Sequence, residues 1–406
     1  MTPADELLQG LKDTRGWRED FYRELHAHPE LSGQEADTAA AVAERLGQWG
    51  YEVQHVGGGV VGVLANGPGQ TVLCRADMDA LPVTELSGVP YASTQTATDD
   101  SGATVGVSHA CGHDVHVTSL LGAAELLAQR RNVWSGTVVA LLQPAEETAS
   151  GASGMLADGL AERIPRPDVA LAQHVLGLET GTVGTTLGPV MSAGDSIRVT
   201  VFGKGSHGSM PHLGVDPVVL AASIVLRLQT IVARETKPGE FAVVTVGSSI
   251  AGTKSNVIAD RAVLLLNVRT YDEAVRRQVL EAIERIVRAE CKGAGSSQPP
   301  TFEYYDQYPL TTNDAAVADR VTHAFREHFP GRVSALGRVT ASEDFSRIPD
   351  AFGTPYLYWG VGGFADAAEA PPNHSPYFAP LVQPTLDTGT AALLVAVSSY
   401  LGTDGD

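Results

Sequence analysis

The chain has 406 residues, too many for one ordinary core, so two compact domains are expected. Hydrophobic residues make up 43% and charged ones 18%, which places it among globular chains and away from disordered ones. A formal net charge of -19, with no Lys/Arg run able to track a phosphate backbone, argues against a nucleic-acid partner.

The start, MTPADELLQGLKDTRGWRED, has no basic segment followed by an apolar core, and no later apolar stretch reads as long enough to span a bilayer. No membrane partner and a cytoplasmic location are therefore expected. Apolar spacing predicts helices over 16–28 and 35–49, the second ended by Gly50 as a left-handed cap. YEVQHV, VVGVLA and TVLCRA read as strands, with NGPG at 66–69 as a hairpin turn. A helix from about Val117 to Gln129 is followed by the buried strands GTVVALL and DVALAQH. Helices alternating with apolar strands imply an α/β domain whose functional groups gather in loops at strand ends.

From about Asp195 the rhythm changes to strand (SIRVTVFG), helix (215–234), strand (FAVVTVGS), strand (NVIADRAVLLLNV), helix (272–291) and strand (TFEYYD). That order is β-α-β-β-α-β, a split βαβ unit. After Leu310 the first rhythm returns with a helix near 313–328, a short strand TPYLYWG and a closing helix from about Pro384 to Tyr400. The expected organisation is a catalytic domain in two parts, 1–188 and 308–406, with an inserted domain over 189–307.

The densest chemical cluster is HACGHDVH, with His109, Cys111, His113, Asp114 and His116. Any one of these taken singly reads as a buried cysteine or a loop histidine. Together, and with only Cys74 and Cys291 as further cysteines, they suggest a first-row metal site and no disulfide framework. In QPAEE an apolar strand runs into Glu146 and Glu147; one can bind a cation while the other serves as general base. His174 closes DVALAQH and His374 lies in PPNHSPYF. Asp77 and Asp79 of RADMDALP can either ligate a metal or orient a liganding histidine. GKGSHGSMPH offers His207 and His212, and Asn256 and Arg269 bracket the strand after GTKSN; these can bind an anion or stabilise an oxyanion. SEDF, with Glu343 and Asp344, reads as support for the metal loops or the substrate.

In order, RADMDALP, HACGHDVH, QPAEE, AQH, GKGSHGSMPH, NVIAD, SEDF and PNHSPYF resemble the hippurate hydrolase and N-acyl-L-amino-acid amidohydrolase branch of the aminoacylase and glutamate carboxypeptidase family. The resemblance spans nearly the whole chain. It implies a zinc-peptidase-like catalytic domain, with a central mixed sheet flanked by helices, and an inserted ferredoxin-like lid and dimerisation domain, hence a homodimer. It further implies two divalent cations held by Cys111, His113, Glu147, His174 and His374, with Asp77 and Asp79 in support and Glu146 as the base. Zinc is the expected metal, with manganese, cobalt and nickel as alternatives. Asp77 stands where many relatives carry a liganding His, and Cys111 replaces a bridging Asp; both changes are typical of this branch.

The implied reaction is hydrolysis of an N-acyl-L-amino acid to a carboxylic acid and a free amino acid. A water activated by the cations gives its proton to Glu146, and the hydroxide so formed attacks the amide carbon. His207 faces the carbonyl oxygen, often from a partner subunit, while Asn256, Arg269 and His212 meet the substrate. A dipeptidase or carboxypeptidase using the same site is the nearest rival, and an inactive ligand-binding protein of the same fold is the rival from another class. A purely structural metal fits poorly, since structural zinc sites are closed by four ligands without an adjacent base.

Overall fold

A computed structural model describes residues 2–99 and 101–402. The first two expected helices are α1 (Arg15–Ala27) and α2 (Ala36–Gln48). Strands β1 (Glu52–Val56), β2 (Gly59–Asn66) and β3 (Thr71–Asp77) follow. The hairpin is formed by β1 and β2, not by β2 and β3. Between β2 and β3 lies β4 (Gly136–Gln143), antiparallel to the former and parallel to the latter. GTVVALL has no polar face, so it is driven to the interior, where both of its edges find partners.

Helix α3 (His113–Gln129) precedes β4 and starts four residues before the expected Val117. Its first turn carries His113, Asp114 and His116, all buried, so apolar periodicity does not reveal it. The strand β5 (Val169–Glu179) runs past His174, which the sequence suggests as its end, and β6 (Val183–Thr185) follows.

Next come β7 (Ala193–Phe202), α4 (Pro217–Thr230), β8 (Ala242–Ala251), β9 (Arg261–Thr270), α5 (Glu273–Ala294) and β10 (Thr301–Tyr308). The single strand expected over NVIADRAVLLLNV is broken: Val257–Ile258 pairs with Ser206–His207, and β9 begins only at Arg261. These strands form an antiparallel sheet in the order β8-β9-β7-β10, the ferredoxin-like arrangement. On α5, Val275, Val279, Ile283, Ile286 and Val287 recur at helical spacing and are buried with Leu220, Ile224 and Leu228 of α4. Each such side chain contributes about 1.5–3 kcal/mol by leaving water. Asp272 caps α5 by accepting the Ala274 and Val275 N–H groups. By length and composition, the stretch Pro217–Glu235, with a mean hydropathy of 1.5, is apolar enough to cross a membrane, contrary to the sequence expectation. One face of it belongs to this core.

The chain closes with α6 (Ala315–His328), β11 (Val333–Ala335), β12 (Tyr356–Phe364) and α7 (Val382–Ser398). Far from short, β12 is a nine-residue strand buried throughout. The large mixed sheet has the order β1-β2-β4-β3-β5-β12-β6-β11. Side chains of α3, α6 and α7 join those of its strands in one core cluster. By internal contacts the chain divides into one unit of Met1–Val190, Thr312–Arg338 and Asp344–Asp406 and another of Met191–Thr311 and Val339–Glu343.

Candidate metal centre

At the end of β4 the backbone turns sharply. Ala145 has φ +48, a left-handed conformation that costs a non-glycine residue about 1–3 kcal/mol and that its surroundings must hold. Glu35 does so by accepting the Ala145 N–H at 2.7 Å, while the Ala145 carbonyl accepts the N–H groups of Ser150 and Gly151. Burial pushes the Glu35 carboxyl up to about 7, against the pull of the Ala145 N–H. The turn presents Glu146 and Glu147, and Glu147 is tied back by its N–H to Asp79 Oδ2 at 2.9 Å.

The entry to α3 is equally constrained. Gly112 has φ +82, and a Cβ there would lie 2.3 Å from Val175 Cγ1, so only glycine lets Cys111 and His113 come this close to β5. His113 turns Nδ1 to the backbone oxygen of Asp79 at 2.8 Å and to its Oδ1 at 3.1 Å, which leaves Nε2 directed elsewhere. His174 donates Nδ1–H to the Val175 carbonyl at 2.7 Å, and its Nε2 lies 3.5 Å from Cys111 Sγ. His374 has φ +68 and is held by its N–H to the Ala110 carbonyl at 2.7 Å; its Nε2 lies 3.3 Å from Glu147 Oε2.

The structure thus brings five sequence-selected residues together. Ligand atoms of Cys111, His113 and His174 lie within 4.8 Å of one another, as do those of Cys111, Glu147 and His374, so the two groups share one sulfur. A third such group joins Glu146 to His113 and Glu147. His113 Nε2 and Glu147 Oε1 are buried 3.8 Å apart, and neither has a hydrogen-bond partner among the described residues. Buried polar atoms are rarely left so, and two orphaned lone-pair donors beside a thiol fit a cation between them.

Asp77 and Asp79 have both oxygens engaged. Asp77 meets His116 Nδ1 and Arg75 Nη1, each at 2.6 Å; Asp79 meets His113, the Ser32 hydroxyl and the Glu147 N–H. Burial pushes the Asp77 carboxyl up, but Arg75, His113 and His116 more than reverse this and hold it well below the usual range. Asp79 is likewise lowered, against its burial, by the hydrogen bond from His113. Asp344 accepts Gln143 Nε2–H at 2.5 Å and the Ala152 N–H at 3.1 Å, which binds the end of β4 to the helix after the turn.

Sequence spacing does not reveal Glu35 or His26, because their partners are far along the chain. His26 is buried on α1, with Nδ1 2.6 Å from Asp114 Oδ2 and Nε2 3.0 Å from Glu85 Oε1. Burial opposes its charge, yet Asp114 and Glu85 raise it to about 10. Tyr22, Tyr91 and His109 are further titratable groups around it. A folded-state value above the unfolded value of about 6.5 stabilises the fold fully below pH 6.5, and that contribution is lost as pH rises through 10. The melting temperature of the wild type should therefore fall more steeply between pH 7 and 10 than that of His26→Gln. Parallel melting curves for the two proteins would contradict the assignment.

In the smaller unit, His207 pairs with Val257, and the Gly208 N–H donates to the Asn256 carbonyl at 2.8 Å, so His207 and Asn256 are neighbours. His207 Nδ1 is engaged by Ser209. His212 is exposed in a turn over Pro211–Leu213. Arg269 is elsewhere: it bonds Asn267 Oδ1 and Ser342 Oγ near the far end of β9, a strand spanning about 30 Å. Asn256, just before Val257, and Arg269 therefore lie toward opposite ends of that strand.

Residues 73–398 match the model of peptidase family M20/M25/M40. The chain is 34% identical over 385 residues to thermostable carboxypeptidase 2 of Saccharolobus solfataricus, covering 93% of this chain and 94% of that one. It is 38% identical over 297 residues to the N-acyl-L-amino acid amidohydrolase of Geobacillus stearothermophilus, covering 72% and 76%. Among solved structures it resembles a dinuclear metal-binding M20 peptidase of Bacillus subtilis, with TM-score 0.78, 28% identity and coverage of 95% and 98%.

Proposed function

The chain belongs to peptidase family M20/M25/M40, and from that premise we propose that it is a metal-dependent amidohydrolase that splits N-acyl-L-amino acids into a carboxylic acid and a free amino acid. The observation that carries the reading is the pair of ligand groups sharing Cys111, with the Glu146 carboxylate within 4.8 Å of ligand atoms of His113 and Glu147. Cys111, His113 and His174 would hold one cation; Cys111, Glu147 and His374 would hold the other. One thiolate and three imidazoles favour zinc, with manganese, cobalt and nickel as weaker candidates. When bound, such a pair supplies Lewis acidity that brings the pKa of water toward neutrality and polarises the amide carbonyl.

The residues then divide the work. Glu146 takes the proton of the attacking water and returns it to the leaving amine nitrogen. His113 and Glu147 are oriented by Asp79, and His174 by the Val175 carbonyl, so their ligand atoms are fixed before substrate arrives. Arg269, half-buried and joined to Asn267, pairs with the substrate α-carboxylate. In the proposed homodimer, His207 from the neighbouring copy donates to the carbonyl oxygen, and Asn256 and His212 contact the substrate.

Support for the dimer comes from exposed Val218, Val219 and Leu226 on α4 and Ile250 on β8, a strand with an unpaired edge that a second copy can continue. A monomer in sedimentation equilibrium would exclude it. Three unpaired, buried cysteines, one of them a proposed ligand, suit the reducing cytoplasm.

A carboxypeptidase acting on short peptides is the second reading, favoured by the relative of that name. Both readings predict that an N-acyl amino acid reacts far faster than its C-terminal amide, by about 100-fold for loss of one charge-assisted contact of roughly 3 kcal/mol. Rates on acetyl, benzoyl and long-chain acyl amino acids, set against dipeptides, separate the two. Equal rates on acids and amides would remove the assigned role of Arg269.

A further inference from the structure

We infer that His116 is a positioning residue: it holds the Val175 backbone so that His174 presents Nε2 to a cation, and it is not itself a ligand. This rests on the dinuclear reading above. Proximity alone suggests otherwise, because ligand atoms of Asp77, His113 and His116 also lie within 4.8 Å of one another. The hydrogen bonds decide the matter. His116 Nε2 accepts the Val175 N–H at 2.8 Å, so the ring proton is on Nδ1, which donates to Asp77 Oδ1 at 2.6 Å. Neither nitrogen has a lone pair to give.

The need for such a clamp arises in the sheet. β3 pairs with β5 from Val72↔Val169 to Arg75↔Ala172 and no further. Beyond Ala172 that edge of β5 has no ladder partner among the described residues, although His174 and Val175 continue the strand against β12. A buried N–H left unsatisfied costs about 1–3 kcal/mol, and His116 replaces the missing carbonyl at Val175. The Val175 carbonyl accepts His174 Nδ1–H at 2.7 Å, which places the lone pair of His174 on Nε2, toward Cys111. Val175 is thus gripped through its N–H by one imidazole and orients the other through its carbonyl. Behind His116, the second oxygen of Asp77 is fixed by the fully buried Arg75.

Two substitutions separate the roles. The amide of Gln reaches about as far from Cα as Nε2, so His116→Gln keeps an acceptor for Val175; the amide of Asn reaches only about as far as Nδ1, so His116→Asn keeps the Asp77 contact and loses the clamp. Metal-free wild type, H116N and H116Q, each checked for folding by circular dichroism, are titrated with Co2+ in competition with a chelator. The wild type should take two ions per chain; H116N should bind one of them about 10- to 100-fold more weakly, and H116Q should stay within about threefold of wild type. Wild-type affinities for both ions in H116N overturn the proposal, and so does equal loss of one ion in both variants, which would make His116 a ligand. Fewer than two ions on the wild type defeats the dinuclear reading itself.

Should H116N fail to fold, the wild type gives its own answer. With 113Cd bound and histidine labelled with 15N, metal–nitrogen coupling is expected at His113, His174 and His374 and absent at His116, whose Nδ1 carries the proton. Coupling at His116 would overturn the proposal.

Discussion

Replacing Glu146 by alanine is expected to lower kcat about a thousandfold, roughly 4 kcal/mol of transition-state stabilisation, while two cations remain bound. Glu146 is buried on a turn that other groups hold: the Glu35 carboxylate and the N–H groups of Ser150 and Gly151 fix Ala145, and Asp79 fixes the Glu147 N–H. The position of the proposed metal-binding carboxylate, Glu147, is therefore expected to survive the change. KM should move little, because the lost group acts on the proton and not on the acyl or carboxylate ends of the substrate. Loss of metal together with activity would make Glu146 a ligand, and undiminished turnover would remove it from the reaction.

Cys111→Ala should have the larger effect. Its sulfur belongs to both ligand groups, so one substitution weakens the hold on both cations. Dialysis against a mild chelator should strip the variant and leave the wild type loaded, with activity falling about 10,000-fold as the Lewis acid is lost. Cys111→Asp offers an oxygen bridge in the same place. It should recover two cations but shift preference from zinc toward manganese, since carboxylate oxygen is the harder donor. A Cys111→Ala protein that keeps two ions after dialysis would show that the sulfur bridges nothing.

The sequence made the chemical types legible because thiol, imidazole and carboxylate residues concentrate in a few motifs, and those motifs resemble one known family. The split βαβ order of the inserted segment was legible too: α5 and β9 expose one face and bury the other, and such faces leave a periodic trace. What stayed hidden is non-local. NGPG reverses the chain between β2 and β3, yet the partner of both is β4, about 60 residues on, and turn chemistry carries no information on that. The first turn of α3 escapes the sequence because its buried residues are polar, each meeting a group from another element: His113 through Nδ1 with Asp79, Asp114 with His26, His116 with Asp77. The roles of Glu35 and His26 depend on contacts with Ala145, Asp114 and Glu85, for which no spacing rule exists.

On the proposed assignment, Cys111 would help to hold both cations next to the Glu146 base. Anomalous X-ray scattering from crystals of the zinc-loaded protein tests that assignment directly. Two peaks per chain are predicted on either side of Cys111 Sγ, one toward His113 and His174 and the other toward Glu147 and His374. A single peak, or a pair centred away from that sulfur, would contradict the account.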